Sequence, residues 1–541
     1  MSGSVALVLH GHLPWVRGHG THPMGEEWLY QAWLECYLPL IEALQRVAAA
    51  GGRQVLTLSL SPVLAEQMAD RELMVAFHGW LGRRLVDLEH TASRYGGSDR
   101  ERLRPVWAHH WRRLHHRLAQ LEAGPLATGL AQPLAELADA GVIELLGGPA
   151  PHPYLPLCDD EAVIRGQMAD GLATTQRVLG RRPTGVWTPE CGYRPRGGVA
   201  DPGAPALGTH LDGTPRLARG EPELPGLEEL WADAGATHLV VDGPTLARAA
   251  GAPERDWAAT AGRRVPPGDP EATVDTPVRV GDSDVVAFGR NLAISYAVWS
   301  PVGGYPCDPW YRDFFATDLE GGFKSWRVTD RADPAKAPYD PLPAGERAIA
   351  HADDFMGRCR AHLADRGDNA IVVAAYDAEL FGHWWYEGPH WLETVLRRLL
   401  DDDALAPTSL AAHLRRHPPT TRLRLPESSW GRGKGHAAWV APATRWAWQA
   451  LRAAQARFAA LAPGPARDVA WRQLTLAQAS DWPFLINRDE SARYATQRLW
   501  GHLADFDAAC RGQRLAELAA RDAPGGGHRP PAASPAAATS A

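Results

Sequence analysis

Short β-type runs alternate with helical patterns along most of this chain, and that alternation restricts its fold more than any other feature. Val5–Leu9, Val55–Leu60, Val142–Leu146, Gly185–Trp187, His238–Val241 and Ile371–Ala375 read as strands. Leu34, Leu38, Ile41, Leu44 and Ala48 mark one helix face closed by Gly51-Gly52, and Asp159-Asp160 opens another helix that ends near Gly180. Strand alternating with helix implies a parallel sheet, and a length of 541 residues favours a closed or nearly closed α/β barrel with attachments over an open sheet.

Three stretches depart from the alternation. Residues 76–124 form a charged, His- and Arg-rich helical stretch with HHWRRLHHRL at its heart, which reads as an inserted small helical subdomain. No carboxylate or cysteine stands at ligand spacing from His109, His110, His115 and His116, so a solvated helix face is expected there. The Pro/Gly-rich loops 194–227 and 243–282 exceed what a mere connection needs and are expected to act as lids or binding walls. Beyond a catalytic part over 1–427 the pattern turns wholly helical over 428–522, and residues 523–541 are too poor in apolar side chains to fold.

Composition narrows the function. A hydrophobic share of 45% supplies ample core, and a net charge of -7 without a basic stripe argues against a nucleic-acid partner. No run approaches the roughly 20 apolar residues that cross a bilayer, so no membrane association is expected. The apolar run near the N-terminus is only about five residues long with no basic segment before it, and reads as a strand rather than a signal peptide. Six scattered cysteines without a framework fit a reducing cytoplasm. The 22 tryptophans outnumber the 10 phenylalanines and 12 tyrosines, and flat indoles match the C–H faces of sugars, although packing uses them as well.

Barrel enzymes carry their chemistry just beyond the C-terminal ends of strands. Four places qualify: His10-Gly-His12, His152 in GGPAPHPYLPL, Glu190 in GVWTPECGY and Asp377 in IVVAAYDAELFGHWWYEGP. Glu190 and Asp377 sit among aromatics, where a carboxyl loses hydration and holds its proton while a better-solvated partner stays ionised. Such a pair serves glycoside cleavage. The alternatives are a pairing with arginine or a helix cap. His10 and His12 also have metal-ligand spacing, but no early aspartate accompanies them, so contact with sugar hydroxyls is expected and no metal. SSWGRGKGH is not a phosphate loop, because Gly435 rather than Ser or Thr follows Lys434.

In their order, HGHLPWV, GGPAPHPYLPL, GVWTPECGYRP, YDAELFGHWWYEGP and SSWGRGKGH resemble the five motif regions of glycoside hydrolase family 57. VWSPVGGYP, KAPYDP and ASDWPFL are similar to longer signatures of its 1,4-α-glucan branching enzymes. The resemblance implies an incomplete (β/α)7 barrel with an inserted small helical subdomain, a C-terminal α-helical domain, and a retaining mechanism without a cofactor. It puts Glu190 on the nucleophile position and Asp377 on the acid/base position. His10, His12 and His152 match positions around the bound sugar, while Arg290, Trp299, Trp430, Trp439 and Asp481 match residues that line the glucan groove. Cys307 stands where similar enzymes often carry a glycine, and Lys434-Gly435 replaces a more usual Gly-Asp before His436. Branching enzymes of the family carry a tyrosine on a mobile loop, yet none occurs between Asp242 and Arg290, which leaves Trp257 as the lid candidate.

The expected reaction transfers an α-1,4-glucan segment from donor to acceptor glucan through a covalent intermediate on Glu190. An α-amylase or a 4-α-glucanotransferase would share both carboxylates. A non-catalytic glucan-binding protein would need neither, and a metal-dependent deacetylase would use the His-x-His pair with an added aspartate.

Overall fold

The computed structural model describes all residues except 1–2, 22–23, 124–128, 210–214, 258, 260–264, 267, 301, 318–321, 331–334, 490, 525–527, 529 and 532–541. Seven strands carry the architecture: β1 (Gly3–Gly11), β2 (Leu56–Leu60), β3 (Ile143–Leu146), β4 (Gly185–Trp187), β5 (His238–Asp242), β6 (Val286–Arg290) and β7 (Ile371–Asp377). Six of them stand where the apolar runs predicted them. The seventh, β6, falls in VAFGR, a run too short and too glycine-marked to stand out in the sequence.

All neighbouring pairs among the seven are parallel. β7, β1, β2 and β3 pair in that order, as do β4, β5 and β6. A parallel bridge between Gly147 and Val186 joins β3 to β4, and the Asn291 amide just beyond β6 donates to the Val373 carbonyl of β7 at 2.8 Å. Side chains alternate along each strand. Val5, Leu7 and Leu9 of β1 join the large core beneath the helices, while Ala6 and Val8 join a separate cluster with Leu146, Trp187, Val240, Phe288, Val373 and Ala375. Both faces are therefore buried, which is why β1 reads as a continuous apolar run.

Helices cover the strands: α1 (Leu38–Ala49), α2 (Arg71–Arg94), α3 (Arg104–Ala123), α4 (Glu161–Leu179), α5 (Gly243–Ala249) and α6 (Pro341–Leu363). Asp70 caps α2 and Asp160 caps α4 through their carboxylates, the latter as the Asp159-Asp160 pair predicted. The helices α2 and α3 occupy the stretch read as an insertion. Their histidines are not uniformly solvated: His115 and His116 are exposed, but His110 is buried, its Nε2 3.1 Å from the Lys324 carbonyl, and His109 meets the Tyr386 hydroxyl at 2.8 Å. Burial holds His110 down at about 3.

After Trp430 the chain becomes helical: α7 (Arg445–Ala459), α8 (Pro465–Ala477), α9 (Asp481–Arg488), α10 (Ala492–Cys510) and α11 (Leu515–Asp522). Their apolar faces share one core with Tyr154, Leu157 and Val163 from the β3–α4 region. Polar ties fix the docking. Asp522, fully buried, accepts from Gln473 Nε2 at 2.6 Å and from the Trp15 indole at 3.2 Å, and lies 2.8 Å from His19 Nε2. Of the tail expected not to fold, His528 is packed: its Nδ1 lies 2.9 Å from Asp170 and its Nε2 3.0 Å from Glu66. Residues 525–527, 529 and 532–541 of that expectation lie outside the described residues.

Burial raises the Asp522 pKa, but hydrogen bonds from His19 and Arg521 outweigh it and hold the carboxyl far below the usual range. Its folded pKa is depressed, so its contribution to stability is complete above the unfolded value near 3.9 and is lost as pH falls through the folded value. Asp522→Ala strands four donors and should cost roughly 3–5 kcal/mol of unfolding free energy, read by urea titration at neutral pH. A loss within about 0.5 kcal/mol of wild type would show that the N-terminal segment and the helices dock without this carboxylate.

Candidate active site

The strand ends bring the polar residues together. His10 and Asp377 face each other across the parallel β1–β7 register. Gly11 separates the two histidines for a steric reason: a Cβ there would lie 2.6 Å from the Tyr37 hydroxyl, which donates to Glu379. Glu190 lies three residues past β4, in a single turn over Pro189–Cys191. Its φ of 65° is in the left-handed region, as is that of Cys191 at 49°. A non-glycine residue held there carries a cost of order 1–3 kcal/mol and persists only where surroundings over-determine it. The surroundings do so here, because the Trp430 amide donates to the Glu190 carbonyl at 2.9 Å.

The two candidate carboxyls differ in their hydrogen bonding. Trp430 Nε1 donates to Glu190 Oε2 at 2.7 Å and the Ser480 hydroxyl to Oε1 at 3.3 Å. No side chain donates to Asp377 among the described residues. Burial pushes Glu190 up to about 7, against the opposing pull of the Trp430 hydrogen bond. Burial together with the negative charges of Glu379 and Glu190 pushes Asp377 well above the carboxylate range, with Arg290 opposing. These surroundings favour the protonated form of Asp377, and the donors on Glu190 favour its anion.

Three histidines line the same place. His10 Nε2 and His152 Nε2 are 2.9 Å apart, and the outer nitrogens meet Ser59 at 3.1 Å and Ser480 at 2.9 Å. Burial and the neighbouring His12 hold both rings neutral, and His10 stacks on Trp187 at 4.7 Å. His12 behaves oppositely: burial pulls its pKa down, but Asp481 at 2.8 Å, Glu379 and Glu190 raise it overall. The protonated form of His12 is thus favoured beside Glu190.

The sequence argument against a metal rested on the lack of an aspartate near His10 and His12. That premise fails in three dimensions, since ligand atoms of His12, His152 and Asp481 lie within 4.8 Å of one another. These atoms already engage one another or His10: His12 is closed on Asp481, and His152 Nε2 on His10. The direct bonds account for the cluster.

Other expected residues fall in different places. Arg290 is buried, donates to Asp242 at 2.8 Å and lies 5.2 Å over the Trp430 ring, with Lys434 Nζ on the other Asp242 oxygen at 2.8 Å. Trp299 pairs with Trp384 at 6.0 Å, and Trp384 is 41% exposed. The Cys307 thiol donates to the Ser300 carbonyl at 3.6 Å, holding the turn over Tyr305–Cys307. Trp439 departs from the groove-lining expectation: it is 1% exposed and stacks on Tyr154 at 4.1 Å, so it backs the wall instead of forming its surface. Trp257 departs from the lid expectation, because it is buried against Ala247 and Ala252 with Arg255 over its ring at 4.6 Å. Glu379 and Ser480 were not singled out in the sequence. Glu379, pushed up to about 7 by burial, sits two residues past Asp377, and Ser480 directly precedes Asp481.

Residues 6–426 match the family model for glycosyl hydrolase family 57, and residues 448–521 match a model for the C-terminal part of 1,4-alpha-glucan branching enzymes. A Mycobacterium tuberculosis protein named "probable 1,4-alpha-glucan branching enzyme" is 35% identical over 540 residues, spanning 92% of this chain and 90% of that one. The 1,4-alpha-glucan branching enzyme of Thermococcus kodakarensis is 32% identical over 522 residues, covering 94% of this chain and 73% of that protein. Its crystal structure, in complex with glucose and additives, superimposes with a TM-score of 0.85 at 30% identity, covering 99% of this chain and all of that one. The family 57 branching enzyme of Pyrococcus horikoshii gives a TM-score of 0.82 at 30% identity, with 96% and 95% of the two chains covered. The family model spans most of this length and the likeness extends through the helical end, so this chain belongs to glycosyl hydrolase family 57.

Proposed function

We propose that this protein is a retaining 1,4-α-glucan branching enzyme in which Glu190 is the nucleophile and Asp377 the general acid/base. The observation that carries the chemistry is the hydrogen-bonding contrast of the two half-buried carboxyls, since among the described residues side-chain donors reach Glu190 and none reaches Asp377. Asp377 protonates the glycosidic oxygen as Glu190 attacks the anomeric carbon, giving a covalent glucosyl-enzyme. Asp377, now a carboxylate, takes the proton from the 6-hydroxyl of an acceptor chain. The hydroxyl oxygen displaces Glu190, and an α-1,4 link has become an α-1,6 link. His12, as a cation, supports the Glu190 anion. Branching in place of hydrolysis is supported by the relatives' printed activity and the C-terminal match.

The same reading extends to architecture. An incomplete (β/α)7 barrel is supported by the seven parallel strands and by the cluster that takes alternate side chains from six of them. Residues 1–427 are taken as the catalytic part with an insertion at 76–124, and 428–522 as the C-terminal helical domain. Trp299 with Trp384, Trp430 and Arg290 are proposed to hold donor and acceptor glucan. Cytoplasmic residence is supported by cysteines that are all unpaired among the described residues, where also no helix is long and apolar enough to cross a membrane. An amylase reading has one feature in its favour: the segment between Asp242 and Arg290 lacks tyrosine and its Trp257 is occupied in packing.

Incubation with amylose should lower iodine colour and yield new chains after debranching, with few new reducing ends. Reducing ends in large excess over branches would make the protein an amylase. Glu190→Gln should cut this activity by several orders of magnitude with folding intact, and Asp377→Asn should do so on amylose but less in the first step on an activated aryl glycoside.

The pH profile follows from the same carboxyls. Glu190 must be ionised, so kcat/KM should fall as pH drops below about 7. Trp430→Phe removes a donor that favours the anion and should move this acidic limb to higher pH; an unmoved limb would exclude Glu190 as the titrating group. Exhaustive chelation should leave turnover unchanged, and its loss with recovery on adding zinc would favour the deacetylase chemistry instead.

A further inference from the structure

Next to the catalytic wall lies a cavity of about 450 Å3, within the range of small-molecule sites. Four cations line it, Arg216, Arg219, Arg248 and Lys434, against two carboxylates, Glu254 and Glu427. Arg219 is paired with Glu427, and Lys434 reaches Asp242 at 2.8 Å. The guanidinium groups of Arg216 and Arg248 have no hydrogen-bond or ion-pair partner among the described residues. Of the described lining residues only the exposed Glu254 is left to offset them, in a protein whose overall charge is -7.

A neutral α-glucan does not call for two unpaired guanidinium groups in one cavity, because its hydroxyls carry no charge to answer them. Guanidinium groups that border one cavity repel each other, and a concave wall focuses their field on whatever enters. Their planar forks match phosphoryl oxygens bidentately. A phosphomonoester carries roughly -1.5 to -2 charge at neutral pH, which answers two arginines where a carboxylate answers one. We propose that this cavity binds a glucose unit bearing a phosphoryl group, with Arg216 and Arg248 on the phosphoryl oxygens and the exposed Glu254 available to the sugar hydroxyls. Lys434 places the ligand beside the active site, since it shares Asp242 with Arg290, which overlies Trp430, the donor to Glu190.

The phosphorylated unit comes either as a free sugar phosphate or as an ester on a glucan chain, and calorimetry on the full-length protein separates the two. Glucose 6-phosphate is titrated beside glucose and inorganic phosphate, and a phosphorylated maltodextrin beside its dephosphorylated form. At least one phosphorylated compound should bind roughly tenfold tighter than its uncharged counterpart and than inorganic phosphate. Which one does so identifies the source. Arg216→Ala and Arg248→Ala should each weaken that binding roughly tenfold. Neither should lower the melting temperature, because Arg216 is exposed and Arg248 only half-buried. Phosphorylated and unphosphorylated compounds binding alike, inorganic phosphate binding as tightly as either, or affinity indifferent to both arginines would overturn the proposal. Binding is read without turnover, so the outcome is independent of whether amylose is branched.

Discussion

The hydrogen bond from His12 to Asp481, 2.8 Å long and 469 positions apart in sequence, is the contact on which the site depends. It closes only if the helices after Trp430 dock on the open end of the strands. That docking is carried by the shared core around Tyr154, Trp439, Trp471 and Trp482 and by the buried Asp522 beneath Trp15 and His19. The same docking delivers Ser480 to both Glu190 and His152. The helical end thus supplies part of the wall around Glu190, in keeping with a likeness to the two solved branching enzymes that covers 99% and 96% of this chain.

Burial sets the second constraint. Glu190, Asp377 and Glu379 all lose hydration, and three carboxyls so close cannot all ionise. The surrounding donors break the tie: Trp430 and Ser480 serve Glu190, Tyr37 and the His12 amide serve Glu379, and Asp377 is left with the proton. The Asp481 carboxylate favours the protonated form of His12 from one side, and the same ring faces the carboxyls on the other. Removing any one of these groups shifts the others, so single substitutions here will not add.

The left-handed turn at Glu190 shows how the scaffold holds a costly geometry. Trp430 bonds both the backbone carbonyl and the side chain of Glu190, while Arg290 covers the indole and is itself held by Asp242. Residues at the ends of β4 and β6 meet the segment from the C-terminal half at Trp430, and β5 joins through the Asp242–Arg290 pair.

The sequence by itself determined the strands, the parallel alternation and the two carboxyls, because period, length and aromatic surroundings are local properties. It placed six of seven strands within a few residues and put Glu190, Asp377 and the three histidines at strand ends where the fold does bring them together. Tertiary structure alone decided the rest. It supplied the partner of His12 from the far end of the chain, buried His110 in a helix that reads as solvated, and packed His528 in a segment whose composition resembles a free tail. It also turned Trp439 and Trp257 inward, which composition could not reveal, since an indole that backs a wall and one that faces a sugar have the same local signature. The physical reason is common to all of these: burial and charge state are set by neighbours distant in the chain, and only the packed structure fixes which neighbours those are.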